Sequence, residues 1–142
     1  MFKKILFPTD FSDCAIKTTD FAVSFALFHN AELIFCHVIK DSEDSSEYSI
    51  LKNEVELKLE DLKLKKGLDT DSLKWDIVTL FGHSAAEEII EYIDDADNNI
   101  DLIIIPSHGK TGFKKFLIGS TAERIIRHSK VPVLNYKKHL EL

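Results

Sequence analysis

The run Leu102-Ile103-Ile104-Ile105 is apolar at every position. A strand with one wet face alternates apolar and polar residues, so an unbroken apolar run predicts a strand covered on both faces, the signature of a parallel sheet between helices. The rest of the chain repeats the theme. Ile5-Leu6-Phe7, Leu33 to Val38, Trp75 to Leu80 and Val131-Pro132-Val133-Leu134 read as further short strands. Between them the apolar spacing changes to three and four residues, the period of a helix. Cys14, Thr18, Phe21, Phe25 and Phe28 follow a possible cap at Ser12 or Asp13, with Asn30 suited to the end. Leu51, Val55, Leu59 and Leu62 mark a second helix that stops near Gly67, after a polar, acidic loop from Lys40 to Ser49. Ala86, Ile89, Ile90 and Ile93 mark a third helix, opened by a capping box of Ser84 and Glu87. Ile125 and Ile126 lie in a fourth, opened by a second box of Ser120 and Glu123. Strand and helix in alternation define an α/β fold with helices on both faces of the sheet.

The chain has 142 residues, one domain's worth, and no repeat or composition break divides it. Its net charge of -6 argues against a nucleic-acid or anionic-membrane partner. The charge is uneven, however. Residues 41–61 hold eight acids against two bases, whereas residues 108–130 hold six bases against one acid. An anionic small ligand would be drawn to the second region. Two cysteines, Cys14 and Cys36, form no CxxC pair and fit a reducing compartment. The apolar start stops at Pro8, too short for a secretory signal, and no run approaches membrane-spanning length. The expected location is the cytoplasm.

Ligands of open parallel sheets bind beyond the carboxyl ends of the strands. Two such ends carry candidate residues. One is Pro8-Thr9-Asp10 after the first strand. The other is the connection from Pro106 to Thr121, where Gly109, Gly112 and Gly119 allow close backbone approach. Gly119-Ser120-Thr121 opens a helix, whose outward N–H groups and dipole suit a phosphate. The alternative reading is that these residues only turn the chain and cap the helix. Gly109-Lys110-Thr111 is no P-loop, because Ile104 stands where that motif needs glycine. A GxGxxG fingerprint after the first strand is also missing. The six histidines are scattered, with no metal-ligand spacing, and no serine sits in a nucleophile elbow. No catalytic or metal site is expected.

Pro8-Thr9-Asp10-Phe11-Ser12, His37-Val38, Ser107-His108-Gly109-Lys110-Thr111-Gly112, Gly119-Ser120-Thr121-Ala122-Glu123-Arg124 and Val131-Pro132-Val133-Leu134 together resemble the universal stress protein family, from about Lys3 to Tyr136. The resemblance implies an open, doubly wound five-stranded sheet of order 3-2-1-4-5 with four flanking helices, the adenine nucleotide alpha hydrolase-like architecture, over a single domain of residues 1–142. It implies ATP or a related adenine nucleotide as ligand, with Mg or Mn entering only through the nucleotide. Asp10 would hold the ribose, Val38 would line the adenine pocket, and Gly109, Gly119, Ser120 and Thr121 would cradle the phosphates. His108 would orient the loop. In the family's ATP-binding signature, Gly, two residues, Gly, nine residues, Gly-Ser/Thr, the first glycine falls on Pro106. Proline has no N–H and a fixed φ, which removes one backbone donor.

The expected role is a regulatory ATP-binding module of the stress response, with an unidentified protein partner. It would form a homodimer through the exposed fifth strand, Val131 to Asn135. A same-fold interaction protein with a degenerate pocket is the alternative, and a weak ATPase a third.

Overall fold

The computed structural model of the chain describes residues 1–9, 13–40, 46–107 and 119–137. Five strands form one sheet: β1 (Lys4–Pro8), β2 (Glu32–Ile39), β3 (Lys74–Phe81), β4 (Leu102–Pro106) and β5 (Val133–Tyr136). All pairings are parallel and the order is β3-β2-β1-β4-β5. The described helices of three turns or so and longer are α1 (Asp13–His29), α2 (Ser46–Lys66), α3 (Ala85–Asp94) and α4 (Ser120–His128). The order places β2 and β3 on one side of β1 and β4 and β5 on the other, so the winding reverses between β1 and β4.

Alternation along each strand sorts the core into two layers. Ile5, Phe7, Leu33, Phe35, Leu102 and Ile104 pack under α1 and α2, with Ala22, Val23, Ala26, Leu51, Val55, Leu59 and Leu62. Leu6, Ile34, Cys36, Ile103 and Ile105 pack under α3 and α4, with Ala86, Ile89, Ile93, Ala122 and Ile125. β4 is thus buried on both faces, as its unbroken apolar run requires.

Two helix ends follow their sequence signals. Asn30 takes φ 52°, and the Ala31 N–H reaches back to the Ala26 carbonyl at 2.9 Å, closing α1 with a left-handed residue. Gly67 takes φ 66° and ends α2 in the same way.

Four expectations are corrected. α2 begins at Ser46, inside the stretch read as loop. Glu47 in its first turn and Lys63, Lys65 and Lys66 in its last complement the helix dipole, which extends the helix beyond its apolar pattern. β5 starts at Val133, not Val131. The turn before it is closed by Ser129, whose Oγ accepts from the Val131 N–H at 3.1 Å and donates to the Val131 carbonyl at 2.7 Å. Phe28 is 86% exposed. The buried line of α1 runs through Thr18, Ala22 and Ala26, whose small side chains let the helix approach the sheet, and Phe28 lies far around the helix from it. Finally, Gly119 is the N-cap of α4, without a side-chain cap, and Ser120 is already helical. The Glu123 N–H bonds the Gly119 carbonyl at 2.9 Å. The Ser84 cap of α3 does form, its Oγ accepting from the Glu87 N–H at 3.3 Å. The Glu87 carboxylate accepts from Arg124 Nη2 at 2.8 Å and joins α3 to α4. Ser12 and the Cys14 side chain lie outside the described residues.

Candidate functional site at the sheet switch point

β1 and β4 pair only at Ile5↔Leu102 and Leu6↔Ile103. β1 continues to Pro8 and β4 to Pro106, past their last mutual pair, and the winding reverses between them. The crevice beyond the carboxyl ends at such a switch point is where open α/β sheets bind ligands. Of the residues singled out from the sequence, Pro8, Thr9, Val38, Pro106, Gly119, Ser120 and Thr121 are described. Asp10, His108, Gly109 and Gly112 lie outside the described residues.

Ser107 organises one wall of the crevice. It is 2% exposed and directly follows β4. Its N–H donates to the Tyr136 carbonyl at 3.1 Å, and its Oγ donates to the same oxygen at 3.0 Å. Asn135 Oδ1 lies 3.3 Å from that hydroxyl. The Ser107 carbonyl accepts from the Gly119 N–H at 2.8 Å. Residues 107 and 119 therefore meet. α4 starts there. The N–H groups of Ser120, Thr121 and Ala122 have no acceptor within the helix, as in the first turn of any α-helix. Ser120 and Thr121 are exposed and Ala122 is buried.

The opposite wall is the end of β2. The Thr9 N–H donates to the Cys36 carbonyl at 2.8 Å, which fixes the even residues of β2 with their main-chain groups toward β1. The bonds from the Glu32 N–H to Lys3 at 2.9 Å and from the Gly82 N–H to Ile39 at 3.2 Å keep the same parity. Val38, two positions past the last β1–β2 pair at Pro8↔Cys36, thus turns its N–H and carbonyl toward the exit of β1. Its side chain lies on the α3–α4 face, packed against that layer. His37 Nδ1 lies 3.0 Å from the Thr9 carbonyl.

Pro106 is the last residue of β4 and pairs with Tyr136. By strand alternation its ring follows Ile104 toward α1 and α2, while Ile105 and Ser107 face the side on which α4 begins. The ring stands on the other face from Val38. What Pro106 removes is a backbone donor, and no space on the α4 side.

Two of the bases counted in residues 108–130 are paired with acids. Arg124 is held by Glu87 at 2.8 Å, and Arg127 by Glu123 at 3.0 Å. Lys110, Lys114 and Lys115 lie outside the described residues. Burial pushes the Cys36 thiol up to about 12, so it stays protonated beside the crevice. Among the described residues no cluster of three metal-ligating side chains occurs, and no helix is long and apolar enough to cross a membrane. Ser107 and His37 stood in the motifs quoted from the sequence but were assigned no role there. Each is a polar side chain at the carboxyl end of an apolar strand, and that position was the available signal.

A five-stranded parallel sheet of order 3-2-1-4-5 with helices on both faces defines an open, doubly wound α/β fold. Comparison with known proteins gives the family. The model described as the universal stress protein family matches residues 1–137. Universal stress protein MJ0577 of Methanocaldococcus jannaschii is 34% identical over 159 residues, spanning 97% of this chain and 96% of the relative. Its solved structure has a TM-score of 0.62 at 33% identity, covering 99% of each chain. A universal stress protein in complex with cAMP has a TM-score of 0.70 at 21% identity, covering 97% of this chain and 98% of that one. The chain belongs to the universal stress protein family.

Proposed function

We propose that this chain is a regulatory module that binds an adenine nucleotide, ATP first among them, at the β1/β4 crevice. The observation that carries the reading is the bond from the Gly119 N–H to the Ser107 carbonyl. It sets the first turn of α4 on the same rim, and the same face, as Val38. Phosphates would take the Ser120 and Thr121 N–H groups and hydroxyls, favoured by the helix dipole. The adenine would lie against Val38, with Asp10 on the ribose and His108, Gly109 and Gly112 in the segment that closes the site. Mg or Mn would enter with the phosphates. Support also comes from the relative of the same fold that holds cAMP. Binding would couple nucleotide state to a protein partner in the cytoplasmic stress response. A homodimer through the edge strand β5, with Val133–Tyr136 replacing the range read from sequence, would present two sites.

One observation favours a second reading. Pro106 removes a donor that the family signature supplies, and loss of a hydrogen bond to a charged group weakens binding roughly ten- to a hundredfold. A degenerate pocket in a protein-interaction module is that reading. Isothermal titration with ATP, AMP and cAMP separates the two. Saturable heat with a rise in melting temperature supports the nucleotide module. No heat and no rise at millimolar nucleotide contradicts it.

A further inference from the structure

We infer that His37 is a positioning residue of the nucleotide site, one that sets the exit of β1 against Val38; the inference rests on the reading above. The β1–β2 pairing ends at Pro8↔Cys36, and the Thr9 N–H adds one more bond, to the Cys36 carbonyl at 2.8 Å. In a regular parallel ladder the next rung would run from the Val38 N–H to the Thr9 carbonyl. At that level the imidazole of His37 enters, with Nδ1 3.0 Å from the Thr9 oxygen. A carbonyl only accepts, so Nδ1 is the donor and carries the proton. The other ring nitrogen, Nε2, lies 3.8 Å from Glu47 Oε2 in the first turn of α2. The ring therefore lies between two elements and bridges from β2 to Thr9, the residue that follows β1. Both main-chain polar groups of Thr9 are tied to β2, one through backbone and one through this side chain. Asp10 is the next residue in the chain, and Val38 is the next residue after the histidine. One imidazole thus sets the spacing between the strand ends to which the ribose and adenine contacts are assigned.

The test exploits which nitrogen does the work. In His37→Asn the side-chain amide nitrogen stands near the place of Nδ1. In His37→Gln it stands near the place of Nε2, and in His37→Ala neither donor remains. ATP affinity is measured by isothermal titration on the full chain, with melting curves to confirm folding. The expected result is that His37→Asn stays within about twofold of wild type, while His37→Gln and His37→Ala lose roughly fivefold, the weight of one neutral hydrogen bond. Equal affinity in all three variants, with wild type binding ATP, overturns this inference and leaves the nucleotide site standing. Wild type failing to bind ATP overturns the site reading, and this inference with it. A second measurement does not depend on the variants folding. Nitrogen-detected NMR of the wild-type imidazole is expected to show the proton on Nδ1, and a proton on Nε2 alone overturns the inference.

Discussion

Ser107 and Gly119 are joined by a 2.8 Å hydrogen bond from the glycine N–H to the serine carbonyl, although eleven residues separate them in the chain. The same serine binds the end of β5 through its N–H and its hydroxyl. It fastens β4, β5 and the start of α4 at one point. Ser107→Ala keeps the backbone bonds and deletes the hydroxyl. The expected cost is about 1–2 kcal/mol, because a buried carbonyl loses one of its donors. Urea denaturation at neutral pH measures it, and a change below about 0.3 kcal/mol contradicts the clamp.

Pro106 limits affinity on this account, since it replaces a main-chain donor without filling the α4 side of the crevice. Pro106→Gly is expected to tighten ATP binding by about tenfold. It should also lower stability by about 0.4–1 kcal/mol, because glycine frees the unfolded chain. Titration calorimetry and urea melts on the same preparation check both. Unchanged or weaker binding in a folded variant rejects the donor argument.

α2 carries apolar residues on two opposite faces, and only one is packed. Leu59 and Leu62 are 7% and 1% exposed, whereas Leu57 and Leu64 are 62% and 74% exposed. Leu62→Ala is expected to cost about 2–5 kcal/mol, the range for a buried leucine. Leu57→Ala should stay within about 0.5 kcal/mol of wild type. Chemical denaturation of the two variants side by side checks the assignment.

The architecture was legible in the sequence because burial on both faces leaves a direct mark, the unbroken run at Leu102 to Ile105. What escaped the sequence was set by tertiary partners. Residues Ser46 to Ser49 look like loop until the acidic first turn and basic last turn of α2 are seen as one helix. Val131 looks like strand until Ser129 ties it into a turn. Ser120 carries the residue type of a cap, but Gly119, held by Ser107, occupies that place. His37 read only as one position of the second strand, and its partner, the Thr9 carbonyl, follows a different strand. Single-residue patterns do not encode such cross-strand bonds.

Burial of Cys36 makes a prediction about alkaline stability. Its thiol is pushed from 9.0 up to about 12 in the folded chain. The folded state therefore keeps a proton that the unfolded state releases, and the resulting stability is complete below about pH 9. It falls as pH rises toward about 12, by up to roughly 1.4 kcal/mol per pH unit. Urea melts between pH 8 and 11 should show this decline, and Cys36→Ala should flatten it. The native thiol should also resist alkylation at pH 8 and react once the chain is unfolded.

The central claim is that one nucleotide spans from Val38 to the first turn of α4. A titration of ¹⁵N-labelled protein with ATP, followed by amide NMR, tests it most directly. The account predicts saturable shifts of the Val38, Ser120 and Thr121 amides that follow a single binding curve. The account is contradicted if those three amides stay unmoved at millimolar ATP, or if the shifts fall elsewhere on the chain.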